Sequence, residues 1–217
     1  MANIFDVIIG TTPYILVSIL AIGLGIKIIL KYEEEKIKIR LYIALFFILS
    51  GSGFLIMGMS LFEFLFNKSI ATFIFQTAMF IGLSSVISIA LMLSVLAPRY
   101  KKVLIATGII IAGINGFAMY NENPTLLLNE VIFTQMQLIT FNIVMIISVS
   151  VGIIFLTTGA KTKNKKYKFL GHGLIIVGLF TALDAIFSEF VYGFLARIGI
   201  LIGAGLMFYS TRIKTYK

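Results

Sequence analysis

The sequence predicts an all-α, polytopic membrane protein with seven transmembrane helices. Hydrophobic residues make up 59% of the 217-residue chain and charged residues only 12%, whereas a soluble domain carries about 25% charged residues. Seven long apolar segments fill almost the whole sequence, and Lys and Arg collect in alternate connections between them. We therefore expect one transmembrane domain over residues 1–217 and no soluble domain.

Each apolar segment is close to or above the length of about 20 residues that a helix needs to cross a bilayer. The least distinct boundaries are the turn at 67–69 and the join near Gly193. If either hairpin failed to span, the orientation of every later helix would reverse. The predicted spans are residues 5–30, 41–66, 70–97, 103–120, 131–158, 169–191 and 194–210.

Proline and tyrosine support these boundaries. Pro98 closes the third span and Pro124 lies in the connection after the fourth, as expected for a residue that lacks the N–H used in a helix interior. Pro13 is the only proline within a span, where it can kink the first helix. Most tyrosines fall at the ends of spans, where an amphipathic ring suits the membrane interface.

The distribution of basic residues predicts the orientation of the chain. If every segment spans, one side of the membrane receives sixteen of the eighteen Lys and Arg residues, in the stretches 27–40, 99–102, 161–168 and 212–217. The exceptions are Lys68 and Arg197. Short cytoplasmic loops are enriched in Lys and Arg. We therefore expect the amino terminus outside and the carboxyl terminus inside.

Small residues mark the expected helix contacts, because they let two backbones approach closely within a membrane. Four consecutive small residues occupy 50–53 in the second span, and Gly171 and Gly173 lie in the sixth. Gly199 and Gly203 have GxxxG spacing in the seventh. These residues predict close packing rather than a functional site.

Polar side chains within the spans concentrate in the outer half of the predicted bundle. An ionisable group in a bilayer is costly and usually faces the bundle interior, a watery cavity or an opposite charge. The convergence of several such groups at one level predicts an outward-facing polar pocket. Its candidate residues are Asp184, Arg197, Glu189, Glu63, Gln76, Asn115, Gln135, Gln137 and Asn142.

Asp184 is the strongest of these candidates. It lies about five to seven residues inside the predicted end of the sixth helix, roughly 8–10 Å deep at 1.5 Å per residue. That depth is beyond easy reach of the interface for a short side chain. Arg197 lies about four residues into the predicted seventh helix, which rises 1.5 Å per residue. Its side chain can therefore reach the same level. We expect a buried ion pair, with Glu189 in the same cluster.

The amides have two interpretations. Gln135 and Asn142 are seven residues apart and share a helix face, whereas Gln137 points elsewhere. Gln76, Gln135 and Asn142 are expected to line the pocket as hydrogen-bonding groups. In the simpler interpretation, Gln and Asn side chains bond across helices to fix packing, and Glu63, Glu189 and Arg197 extend to the outer interface.

No enzyme or cofactor site is expected. The chain has no cysteine and one histidine, His172, so it lacks the ligand groups of a zinc hydrolase or a bis-histidine haem. Seven helices with the amino terminus outside is also the topology of the rhodopsins. However, the seventh span has no lysine for a retinal Schiff base, and the chain has no tryptophan. We therefore expect no metal, haem or retinal.

These features together predict a small sensor-like, receptor-like or accessory membrane protein that acts through a partner. Its outer polar pocket would bind a small-molecule ligand or a partner's helices. Two alternatives remain open. One is a transporter of a small solute or ion with Asp184 as the coupling residue, and the other is a structural subunit of a membrane complex. A cavity reached by water from both sides in different states would favour transport, and a dry cluster would favour a structural role.

The net charge of +9 predicts a lipid partner rather than a nucleic acid. The basic residues are spread over short loops and a tail, without a folded basic surface to present them. Anionic headgroups of the inner leaflet are the expected partner, together with a separate membrane or cytoplasmic signalling protein. We expect a multi-pass protein of the cell membrane.

Cysteine labelling tests the predicted topology. In this cysteine-free chain, single cysteines at Lys165 and Asn121 should react with an impermeant reagent from opposite sides, Lys165→Cys only from inside. The physical reason is the positive-inside partition of the loops. Labelling of both positions from one side would contradict the seven-span topology.

Overall fold

Seven long α-helices form the protein in a computed structural model that describes residues 4–35, 38–96, 98–121, 124–126, 131–186 and 190–210. A 3-10 turn at Pro98–Tyr100 links the third and fourth helices. The helices are α1 (Ile4–Glu35), α2 (Lys38–Glu63), α3 (Lys68–Leu96), α4 (Lys101–Asn121), α5 (Gln135–Lys161), α6 (Lys165–Ile186) and α7 (Phe190–Ser210).

The helices have the length and composition of membrane spans. All seven contain a stretch long and apolar enough to cross a membrane. A helix satisfies its own backbone N–H and C=O groups, which a bilayer core cannot do. The predicted fold class is confirmed: the chain is an all-helical, multi-pass integral membrane protein. The orientation of its termini remains a prediction.

Six of the helices form a ring. Along the described chain, α1 packs on α2, α2 on α3, α5 on α6 and α6 on α7, and α1 also packs on α7. The α3 and α5 helices meet only locally. The α4 helix packs mainly on α3 and therefore lies outside the ring. The bundle thus consists of two sequential triplets, α1–α3 and α5–α7, joined through α4.

Glycines set the closest helix approaches. A Cβ at Gly53 of α2 would lie 2.7 Å from the Cα of Gly82 in α3. A Cβ at Gly173 of α6 would lie 2.7 Å from the carbonyl oxygen of Gly203 in α7. Both distances are shorter than any van der Waals contact of a side chain. Of the small residues expected at helix contacts, Gly53, Gly173 and Gly203 therefore lie at backbone crossings, whereas Gly199 lies against the Phe180 ring.

The start of α5 differs from the prediction. A span from residue 131 was predicted, but α5 begins at Gln135, because Val131–Ile132 pairs with Thr125–Leu126 in a two-residue antiparallel ladder. Thr134 then caps the helix. Its hydroxyl accepts from the N–H of Gln137, and its own N–H donates to the Gln137 side chain at 3.1 Å. This reciprocal capping box satisfies two N–H groups that the first turn leaves unpaired.

Asparagine caps move two further boundaries. The α2 helix ends at Glu63 rather than 66. The Asn67 side chain then accepts from the N–H groups of Ser69 and Ile70, so α3 begins at Lys68 rather than 70. The α6 helix begins at Lys165 rather than 169, because Asn164 accepts from Lys166 N–H at 3.0 Å. Side-chain caps of this kind start a helix before its apolar run begins.

Alanine substitutions in α7 test the glycine crossings. In Gly203→Ala, the new methyl would lie 2.8 Å from Val177 Cγ2 and 2.9 Å from the Gly173 carbonyl oxygen. We expect a loss of about 1–3 kcal/mol of stability from overpacking, measured by thermal unfolding in detergent. The matched control is Gly205→Ala, whose methyl meets nothing within 4 Å. Equal effects of the two changes would contradict the crossing.

Candidate functional site

An elongated cavity of about 110 Å³ lies inside the helix ring. All six ring helices contribute to its wall, and α4 does not. The wall is largely apolar, with Phe, Met, Leu, Val and Ala side chains around most of it. Hydroxyl groups interrupt it at Ser50, Ser85, Ser148 and Thr181. A cavity of this size is well above the minimum volume for one water molecule.

Three side chains from three helices form one end of the cavity. Arg197 of α7 donates through Nε to Asp184 Oδ1 of α6 at 3.0 Å. The Tyr14 hydroxyl of α1 donates to Asp184 Oδ2. The Arg197 guanidinium also lies over the Tyr14 ring, with Cζ 4.4 Å from the ring centroid. We call Tyr14, Asp184 and Arg197 the polar triad.

The polar triad is possible because of the way its helices are arranged. The α6 and α7 helices form an antiparallel hairpin, and α1 packs beside α7, so their side chains meet at one level. An ionised side chain within a bilayer needs a partner. The Arg197 side chain is 5% exposed and the Asp184 side chain 12%. Their pairing leaves the triad without net charge when both groups are ionised.

Asp184 retains hydrogen-bonding capacity toward the cavity. A carboxylate has about four lone-pair positions, and the described residues donate two hydrogen bonds to it, one to each oxygen. Its side chain is the more exposed partner of the ion pair. A ligand carrying an O–H or N–H group can therefore donate to Asp184 from the cavity without breaking the triad.

The sequence candidates lie in several different places in the structure. Asp184 and Arg197 form the expected pair and line the cavity. Glu63 is half-buried at the last residue of α2 and does not contribute to the cavity wall. Glu189, expected in the same cluster, lies outside the described residues.

Two buried amides lie between α3 and α4 instead of at the cavity. Gln76 was expected to line the pocket, but its Nε2 donates to the carbonyl oxygen of Met119 at 2.8 Å. Asn115 is 1% exposed, and neither polar atom of its side chain has a hydrogen-bond partner among the described residues. The prediction that Gln76 lines the pocket is therefore wrong, because its amide binds the backbone of α4, outside the ring.

The α5 amides also lie away from the cavity. Gln135 and Asn142 share a face as expected, but that face is exposed, and Asn142 donates back to the Leu138 carbonyl oxygen at 2.9 Å. Their expected lining role is wrong. Gln137 is fully buried and completes the capping box with Thr134. The Thr-x-x-Gln spacing at 134–137 is a sequence signal for that cap.

Sequence reasoning missed Tyr14, the third member of the polar triad. Its signal was its position: it lies within the first span, next to Pro13, and not at a span end. A buried tyrosine hydroxyl usually has a hydrogen-bond partner. The partner could not be identified from the sequence, because Asp184 is 170 residues away.

No group of three His, Cys, Asp or Glu side chains that could hold a metal ion occurs within the described ranges. Comparisons with protein families, with curated proteins and with solved structures found no match.

A double-mutant cycle tests the ion pair. Asp184→Asn and Arg197→Gln should each lower thermal stability in detergent, because removing one partner of a buried pair leaves an uncompensated charge at a cost of about 3–5 kcal/mol. The double variant should lose less than the sum of the two single losses. Unfolding midpoints measured by circular dichroism report all three values.

The control for this cycle is Lys68→Gln, which removes an exposed cation at the start of α3 and should change the midpoint little. Strictly additive losses in the Asp184 and Arg197 cycle would show that the two side chains are not coupled.

Proposed function

We propose that this protein is a receptor-like binding protein of the cell membrane that holds a small, neutral, largely apolar molecule inside its helix ring. The observation that carries the proposal is the cavity itself: a largely apolar chamber with an ion-paired carboxylate, Asp184, at one end. Small-molecule sites are commonly mostly apolar, with a few polar groups that fix the orientation of the ligand.

The charges of the polar triad favour a neutral ligand. Asp184 and Arg197 compensate each other at 3.0 Å. A charged ligand would enter an apolar chamber without a free countercharge, and burying an unpaired charge is costly. A neutral molecule avoids that cost and can still donate a hydrogen bond to Asp184.

The surroundings of the chamber support binding more than free passage. A buried apolar cluster that includes Leu24, Met92 and Phe155 continues the bundle beyond the chamber, toward the end where α7 finishes, and the cavity among its residues is only about 20 Å³. Four methionines line the wall, at 57, 79, 145 and 207. Methionine adapts its shape to its neighbours. Ligand occupancy can therefore change the packing of several helices, which a membrane partner can detect.

Neutral alcohols test the proposal. Hexan-1-ol should stabilise the protein against thermal unfolding, whereas hexanoate should not. At ten times its Kd, a ligand adds about 1.4 kcal/mol to the free energy of unfolding. Alcohols also act on the detergent, so the effect is taken as the difference from a variant whose cavity is filled.

The filled variant is Gly82→Leu, and the matched control is Gly113→Leu. Gly82 lines the cavity, and a Cβ there would meet only Gly53 Cα, at 3.8 Å. Gly113 lies on the exposed face of α4 and has nothing within 4 Å of an added Cβ. Alcohols should stabilise the wild type and Gly113→Leu more than Gly82→Leu. The same response in all three proteins would overturn the proposal.

A smaller change covers the case in which Gly82→Leu does not fold. Gly82→Ala adds one methyl at ordinary contact distance and should reduce the alcohol response only in part. Circular dichroism at low temperature verifies that each variant is folded before the comparison is made.

A further inference from the structure

We propose that the ligand is a straight-chain amphiphile with a neutral hydrogen-bond donor as its head, which binds at Asp184 while the chain extends toward Met207. This inference rests on the proposed function and specifies its ligand. The two ends of the cavity, its width and the chemistry along its wall support it.

The lining residues make the cavity long. On α7 they run from Arg197 to Met207, and on α3 from Phe75 to Ser85. Ten residues of α-helix rise about 15 Å. On α1 the lining runs from Tyr14 to Ala21, in the same direction as on α7. The cavity therefore extends along the bundle axis, from the polar triad to the level of Met207.

The cavity is also narrow. Spread over a lining about 15 Å long, the volume of about 110 Å³ leaves only a small cross-section. This shape suits one extended chain better than a compact ring. A ring would have to widen the chamber by moving side chains that already pack closely.

The two ends of the cavity differ in chemistry. At one end, Asp184 can accept a further hydrogen bond beside Tyr14 and Arg197. At the other, Ala204 and Met207 of α7 lie near Ala21 of α1 and Phe47 of α2, and the polar groups of the lining there are neutral hydroxyls such as that of Ser148. Apolar surface at that end gains free energy from burying a methylene chain. The difference sets the direction of the ligand, with its head at the triad.

Photolabelling with octan-1-ol probes tests this orientation. One probe carries a diazirine at carbon 3 and the other at carbon 7, and peptide mass spectrometry locates the labelled residues in the full chain. The carbon-3 probe should label the triad level, at Tyr14 or around Thr181. The carbon-7 probe should label the stretch 204–207 of α7 or Ser148 of α5.

Two controls identify specific labelling. Gly82→Leu should lose the label inside the ring, while Gly113→Leu keeps it. The methyl ether of the carbon-3 probe cannot donate to Asp184. It should label the triad level about tenfold less, as expected when a hydrogen bond to a charged group is lost.

The outcomes separate this inference from the proposed function. Labels within the ring at the same depth for both probes, or in reversed order, would overturn the orientation while leaving a binding chamber. Undiminished labelling by the methyl ether would overturn the role of the donor head. Labels confined to lipid-facing residues such as those around Gly113 would overturn both proposals.

Discussion

The contact between Asp184 and Arg197 is the constraint on which the site depends. Neither charge is stable alone within an apolar bundle, so α6 and α7 must present them to each other, as they do at 3.0 Å. Tyr14 ties α1 to the same carboxylate. The pair is not in itself strong evidence of stability, because a buried ion pair loses its hydration when it forms. Its consequence is that the relative positions of α1, α6 and α7 along the bundle axis are fixed, because their side chains meet at Asp184.

The backbone crossings and the cavity are related features of the packing. Where glycines meet, at Gly53 with Gly82 and at Gly173 with Gly203, the helices are held together by backbone contact. Larger side chains keep the helices apart on the inside of the ring, and the Phe and Met residues of the wall leave a gap between them. The same bundle is thus rigid at its crossings and adaptable around its chamber.

Much of the fold could be predicted from the sequence, because membrane spans depend on local composition. Seven long apolar segments were sufficient for seven helices. Helix ends were less accurate, because caps such as Asn164 and the pairing at Val131–Ile132 depend on single side chains and short contacts. An apolar run does not reveal either.

The candidate site was only partly predictable. The depth of a residue in the membrane can be estimated from its position in the sequence, whereas the direction in which its side chain points depends on how the helices pack. Asp184 and Arg197 could be paired from their depths. Gln76 and Asn142 lie at a similar depth, but Gln76 donates to a carbonyl oxygen of α4 and Asn142 lies on the exposed side of α5. The Tyr14 contact required the closure of the ring between α1 and α7, which no local pattern encodes.

The contact between Asp184 and Arg197 can be measured directly by solid-state NMR in lipid bilayers. The chain has two aspartates, so an Asp6→Asn variant with ¹³C-labelled aspartate carboxyl groups reports Asp184 alone. With ¹⁵N-labelled arginine, its carboxyl carbon should show the strong dipolar coupling of a hydrogen-bonded Nε, and Arg197→Lys should abolish it. A carboxyl signal without coupling to arginine nitrogen would contradict the pair and the site built on it.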